Sequence, residues 1–346
     1  MKTVLNDILK KSFENNAVSG AVVMCEREDG FNYTLFKNSK DIKEISPFHP
    51  VMKINGGEIV SLITRENGNG KILFIMKPCE IRAAVELKKL NQVNLEDSIL
   101  ISFTCAGVLD FKEGNNFKEQ DKFYKEFLNG KLDENIRPAC NTCVHFKGDG
   151  ADISLDLFNK EIIALTGKGE EFLNGLNIKF TKEFKEGSNF KSIAELREKN
   201  FKQLIKEQKK FFKTEESIIE YFDKCIGCFA CRNACPVCYC KQCYFASETF
   251  KYYPDSIAKK LDKKGALRLP MDRITFHLGR VTHMATCCVG CGMCEDVCPV
   301  NIKVSQFFKY TSADIQNTFE YTPGINREVT LPLLTFREEE FKEVQD

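Results

Sequence analysis

The chain has 346 residues, with 50 Lys and Arg against 49 Asp and Glu and a formal net charge of +1. That balance excludes the strongly basic face or tail of a general nucleic-acid binder, and no apolar run of roughly eighteen residues, the length that spans a bilayer, is present. The length admits about two or three domains, and seventeen cysteines in a chain of this kind ask for an explanation.

Residues 4–15 place Val4, Leu5, Ile8, Leu9 and Phe13 at helical spacing. Strands are predicted at 20–25, where Cys25 reads as a small buried hydrophobe, and at 32–37. Lys71 to Met76 is a continuous apolar run, the pattern of a strand covered on both faces, and it ends in Lys77-Pro78-Cys79. A helix pattern over 80–90 and a second buried strand over 98–104, ending in Cys105, complete a strand–helix–strand unit with a right-handed crossover. Both cysteines then lie just past the carboxyl ends of parallel strands, the edge where open α/β sheets hold ligands. Cys140 and Cys143 follow as a C-x-x-C pair. The four could form one further metal site, or they could be two buried cysteines beside a redox or zinc pair. Short strands are expected within 153–166 and 176–182. A charged helical stretch from 188 serves as connector, and Thr214 is the expected N-cap of a short helix that follows.

The densest signal comes next. Cys225, Cys228, Cys231 and Cys235-Pro236 form one C-x2-C-x2-C-x3-C-P run, and Cys288, Cys291, Cys294 and Cys298-Pro299 form a second. This is the ligand spacing of a [4Fe–4S] cube in bacterial ferredoxins, where the fourth Cys serves the other cluster. The expected sets are Cys225, Cys228, Cys231 and Cys298 for cluster one, and Cys288, Cys291, Cys294 and Cys235 for cluster two. Zinc sites usually take their ligands as two separated pairs, which these triads do not resemble. A disulfide framework needs an oxidising compartment, and the first apolar run, Ala21 to Cys25, is too short for the core of a signal peptide. The expected location is the cytoplasm. The 52 residues from Pro236 to Cys287 carry helix-like segments at 256–261 and 271–284, so an α-helical ferredoxin domain is expected. Cys238, Cys240, Cys243 and Cys287 stay unassigned. His277 and His283 stand six apart and miss the spacing that brings two histidines to one metal.

Lys77-Pro78-Cys79, Phe103-Thr-Cys105, Cys140-x-x-Cys143 with Ala151-Asp-Ile-Ser, and the paired runs together resemble the beta subunits of coenzyme F-420-dependent formate dehydrogenases and hydrogenases. The formate dehydrogenase type is the nearer, with its C-P-x-C-x-C-x-x-C stretch like Cys235 to Cys243 and a tail like Gly324-Ile-Asn. The resemblance implies a third [4Fe–4S] cluster on Cys79, Cys105, Cys140 and Cys143. It also implies a hetero-oligomer with a catalytic alpha subunit of the molybdopterin formate dehydrogenase or hydrogenase type, or with another electron carrier. Family members hold FAD with the help of an additional strand and a Gly-Gly segment at their start. This chain opens on Met1-Lys-Thr-Val-Leu, has no Gly before Gly20, and carries neither G-x-G-x-x-G nor a P-loop.

The expected fold is an α/β (α+β) domain with a partly parallel sheet over 1–187, a helical connector over 188–224, a helical ferredoxin domain with two [4Fe–4S] clusters over 225–310, and a tail over 311–346. The expected function is an iron–sulfur electron-transfer subunit with no catalytic residue of its own. The alternative is an FAD module that itself oxidises or reduces coenzyme F-420 or a nicotinamide.

Overall fold

The computed structural model describes residues 1–28, 30–42, 44–65, 70–110, 120–247, 254–265, 272–332 and 334. The elements in order are α1 (Lys2–Glu14), β1 (Gly20–Arg27), β2 (Gly30–Phe36), α2 (Gly56–Thr64), β3 (Ile72–Ile75), α3 (Pro78–Lys89), β4 (Ser98–Phe103) and α4 (Gln120–Leu128). Then come α5 (Pro138–Asn141), β5 (Ile153–Asp156), β6 (Glu161–Ala164), α6 (Gly167–Gly175), α7 (Ser188–Phe211) and α8 (Glu215–Phe222). The last are α9 (Ala230–Asn233), α10 (Pro254–Lys264), α11 (Asp272–Met284), α12 (Met293–Asp296) and α13 (Val304–Thr318).

One six-stranded sheet has the order β2-β1-β3-β4-β5-β6. Its four central strands pair in parallel, with Phe74 opposite Leu100, and β2 and β6 close the edges antiparallel. The apolar runs of β3 and β4 are buried throughout because each face of the sheet is covered. On one face Leu73, Ile75, Ile99 and Ile101 pack with Leu5, Ile8 and Leu9 of α1 and with Phe190 and Ile193 of α7. On the other, Ile72, Phe74 and Leu100 pack with Val60 of α2 and with Ile81 and Val85 of α3. The mixed sheet and its helices match the α/β expectation.

Several local readings change. A helix, α2, begins at Gly56-Gly57, a start the sequence pattern did not announce. Its glycines let it approach α3, since a Cβ at Gly56 would lie 2.7 Å from Met76 Sδ and one at Gly57 2.9 Å from Ala83 Cβ. Within 176–182 only Thr181 pairs, as a single bridge to Ile163. Thr214 does sit at the N-cap of α8, but its side chain makes no cap hydrogen bond.

After α8 the described residues carry the helices α9 to α13 and no strand up to α13, around a core that includes Phe222, Phe245, Phe276, Phe307 and Phe308. Helix α13 runs to Thr318, beyond residue 310, and the chain after it folds back on the sheet domain. Glu86 accepts hydrogen bonds from Tyr321 Oη at 2.6 Å and Gly324 N at 2.7 Å, and Arg327 pairs with Asp152 at 2.9 Å. Among the described residues no helix is long and apolar enough to cross a membrane.

Candidate metal centres

The two C-terminal cysteine loops repeat one backbone, with each residue of the second 63 positions after its counterpart. Gly227 (φ +66°) matches Gly290 (φ +67°), and Phe229 (φ +57°) matches Gly292 (φ +84°). These left-handed positions turn the chain sharply after the first and second cysteines, and glycine takes them without a Cβ penalty. The short helices α9 and α12 then carry the third cysteine of each loop.

The loops exchange their fourth cysteines. Cys231 lies in electrostatic reach of Cys225, Cys228 and Cys298. Cys235 instead lines a pocket with Cys288, Cys291 and Cys294, which holds about 430 Å³ of space between atoms. The sulfurs meet donors. Ile302 N lies 3.3 Å from Cys298 Sγ, and Arg280 Nη1 lies 3.2 Å from Cys231 Sγ. Arg280, on α11, is buried, lines the pocket of Cys235, Cys288, Cys291 and Cys294, and stacks its guanidinium on Phe308 at 4.8 Å. It therefore stands between the two groups of thiols. Burial works against its charge, but Cys231, Cys235 and Cys294 outweigh this and hold it protonated.

The four N-terminal cysteines come together at the carboxyl edge of the parallel sheet. Cys79 opens α3 directly after β3, Cys105 follows β4, Cys140 lies in α5 and Cys143 just after it. Cys79 is in electrostatic reach of Cys105 and Cys140, and Cys140 of Cys143. Gly107 N donates to Cys105 Sγ at 3.4 Å. Lys77 is 1% exposed and acts on Cys105 as a nearby positive charge. Arg197 of the charged helix α7 is also buried, and it donates to the carbonyls of Cys105 and Ala106 at 3.1 and 2.7 Å.

Burial pushes the Cys105 thiol up to about 12 and those of Cys231 and Cys291 up to about 11. Clustered buried thiols are poor acids alone, and ligation demands the thiolate. The cationic irons of a cube would supply the missing counter-charge, and in that respect the donor sets fit iron–sulfur cubes. Among the described residues no three Cys, His, Asp or Glu side chains can share one metal ion. In a cube each thiolate binds a different iron, so its ligands need not converge on a point.

The sheet-edge group and the second loop are packed against each other. Met52, Val108 and Met293 form a small core that touches Cys79, Cys140 and Cys291. Arg137, fully buried, pairs with Asp296 of α12 and donates to the Cys291 carbonyl at 3.0 Å. Lys309 Nζ reaches Thr142 Oγ1 at 2.7 Å, and Arg82 reaches the Val289 carbonyl at 3.3 Å. Sequence reasoning missed these cations. For Arg82 and Arg137 the available signal was a cation three residues from a site cysteine; Lys309 had none.

The remaining residues take quieter places. Cys238 N donates to the Cys235 carbonyl at 3.0 Å, Cys287 is buried, and Cys240 is exposed. His277 stacks on Phe222 at 4.0 Å and is pushed down to about 3 by burial and Arg280. At the sequence's single Gly-Gly pair, Gly56 N is taken by Glu80 Oε1 at 3.0 Å and Gly57 N by Asn55 Oδ1 at 2.9 Å. That helix start therefore offers no free N–H pair to the pyrophosphate of FAD and does not fit it.

Residues 221–302 match the 4Fe-4S dicluster domain family, so the C-terminal part is an iron–sulfur dicluster domain. Over most of its length the chain is similar to the beta subunits of F420-dependent formate dehydrogenases. It is 26% identical to subunit beta from Methanocaldococcus jannaschii, covering 92% of this chain and 90% of that one. It is 27% identical to formate dehydrogenase 1 subunit beta from Methanococcus maripaludis, covering 75% and 74%. Among solved structures, a chain of the F420-reducing [NiFe] hydrogenase complex from Methanosarcina barkeri aligns with a TM-score of 0.44 and 14% identity, over 61% of this chain and 86% of that one.

Proposed function

We propose that this chain is the iron–sulfur electron-transfer subunit of a hetero-oligomeric oxidoreductase of the formate dehydrogenase type, with three [4Fe–4S] sites in a row. The observation that carries the reading is the placement of Cys79, Cys105, Cys140 and Cys143 directly against the loop of Cys288, Cys291 and Cys294, through Met52 and Met293. Cys225, Cys228, Cys231 and Cys298 would hold the first cluster, Cys235, Cys288, Cys291 and Cys294 the second, and Cys79, Cys105, Cys140 and Cys143 the third. When bound, such clusters pass single electrons at potentials set by charge, hydrogen bonds to sulfur and exposure. The chain's own residues supply those settings. Ile302 and Gly107 donate N–H groups to sulfur, Arg280 and Lys77 place positive charge beside the thiolates, and the apolar cores exclude water. No residue here acts as a nucleophile or general base. The catalytic partner would be a molybdopterin formate dehydrogenase or hydrogenase subunit, in the cytoplasm.

Anaerobic purification followed by metal, flavin and optical analysis tests this reading. Broad visible absorbance that bleaches on reduction and returns on oxidation is expected, with iron and labile sulfide and no bound flavin. Zinc without iron would overturn the reading. Stoichiometric FAD would replace it with a module that itself works on coenzyme F-420 or a nicotinamide.

A further inference from the structure

The internal repeat of the two cysteine loops has an asymmetry. The second loop is covered by the chain's own sheet domain and by α13. Its Val289 is 7% exposed, and its carbonyl accepts from Arg82. A Cβ at Gly290 would meet Lys309 at 3.1 Å. Asp296 pairs with Arg137, which also holds the Cys291 carbonyl. In the first loop the counterparts are open. Ile226, matching Val289, is 62% exposed. A Cβ at Gly227 would meet nothing within 4 Å. Cys228, matching Cys291, is exposed, unlike the other eleven cysteines of the three groups.

The charge is inverted as well. Where the second loop carries Glu295 and Asp296, the first carries Arg232 and Asn233. Lys224 and Lys241 are exposed nearby, Arg273 lies in reach of Cys225, and Asp223 is the one acid between 223 and 247. The covered loop thus presents Asp296 to Arg137 of its cover, and the open loop carries basic residues beside the exposed Ile226.

We propose that the open loop, centred on Ile226 and Cys228 and rimmed by Lys224, Arg232 and Lys241, is the docking face for a diffusing electron-carrier protein with an acidic surface. The proposal rests on cluster one being held by Cys225, Cys228, Cys231 and Cys298. A small apolar centre inside a charged rim suits a transient electron-transfer encounter rather than a permanent interface. It places the exchange with the carrier at the opposite end of the row from the sheet-edge group.

The test uses the full chain with its iron, and as probes a plant-type [2Fe–2S] ferredoxin, which is acidic, and a basic cytochrome c. Binding is measured at low and high salt, together with carbodiimide cross-linking, which joins Lys to carboxylates. The ferredoxin is expected to bind, to cross-link at Lys224 or Lys241, and to weaken at least tenfold at high salt. The double variant Lys224→Glu/Lys241→Glu is expected to lose at least tenfold in affinity, whereas Lys202→Glu/Lys206→Glu on the exposed face of α7 stays unchanged. Ferredoxin binding that ignores the first pair, preferential binding of cytochrome c, or self-association that covers Ile226 would overturn the proposal. Iron is quantified in every variant. A wild-type chain lacking the iron of the dicluster domain would instead refute the ligand assignment beneath it.

Discussion

Arg280 reaches thiols of both cysteine loops. It donates to Cys231 Sγ at 3.2 Å and lines the pocket of Cys235, Cys288, Cys291 and Cys294. A buried positive charge favours the more negative, reduced state of a cluster on either side. Removing a hydrogen bond to a charged group costs about 1.5–3 kcal/mol, and this converts to roughly 60–130 mV on a one-electron couple. Arg280→Gln is therefore expected to lower the midpoint potential of the cluster at Cys231 by up to that amount and that of its neighbour by less, as read by a spectroscopic redox titration. Unchanged potentials in a variant with full iron would show that the guanidinium is only structural. The thiols around Arg280 were legible in the sequence because cluster ligation fixes their spacing. Arg280, Arg137 and Lys77 were not, because a buried cation has no periodic signature and its partners lie far away along the chain.

At the scale of elements, two loop glycines that are not counterparts in the repeat separate backbone strain from packing. Gly292 and Gly227 both have positive φ, but only Gly292 is pressed against a neighbour, with a Cβ there 2.5 Å from Ala139 Cβ. Gly227→Ala is expected to cost about 1–2 kcal/mol, the backbone strain alone. Gly292→Ala adds overpacking of about 1–3 kcal/mol. Urea unfolding of the two variants should therefore rank Gly292→Ala as the weaker, and equal losses would contradict the packing described for that loop. The paired strands, α3 and the helical segments between the runs could be read from apolar period and cysteine spacing. Helix α2 could not, because Gly56-Gly57 are poor helix formers and tertiary contact with α3 overrides propensity. The 176–182 segment reads as a strand by composition but has only one backbone partner to pair with.

At the scale of the whole molecule, the sheet domain and the dicluster domain behave as one body. The buried pair Arg137–Asp296 crosses between them, and the chain after α13 is tied to the sheet domain by Glu86, which holds Tyr321 and Gly324, and by the Arg327–Asp152 pair. Arg137→Ala removes one side of a buried ion pair with Asp296, a change worth about 3–5 kcal/mol. It is expected to lower the unfolding midpoint of both parts together, measured by thermal unfolding with separate far-ultraviolet and visible probes. Separate transitions would mean that the two parts are independent. This joint construction puts the sheet-edge cysteines beside the second loop, the placement that the proposed row of clusters requires.

The central claim is that the sheet edge holds a third cluster. Iron and acid-labile sulfide, counted in the anaerobically purified chain and in Cys79→Ala, test it directly. About twelve irons are expected in the wild type, three cubes' worth, and about eight in the variant. A wild type with only about eight irons, or a Cys79→Ala variant that keeps its full complement, would contradict it.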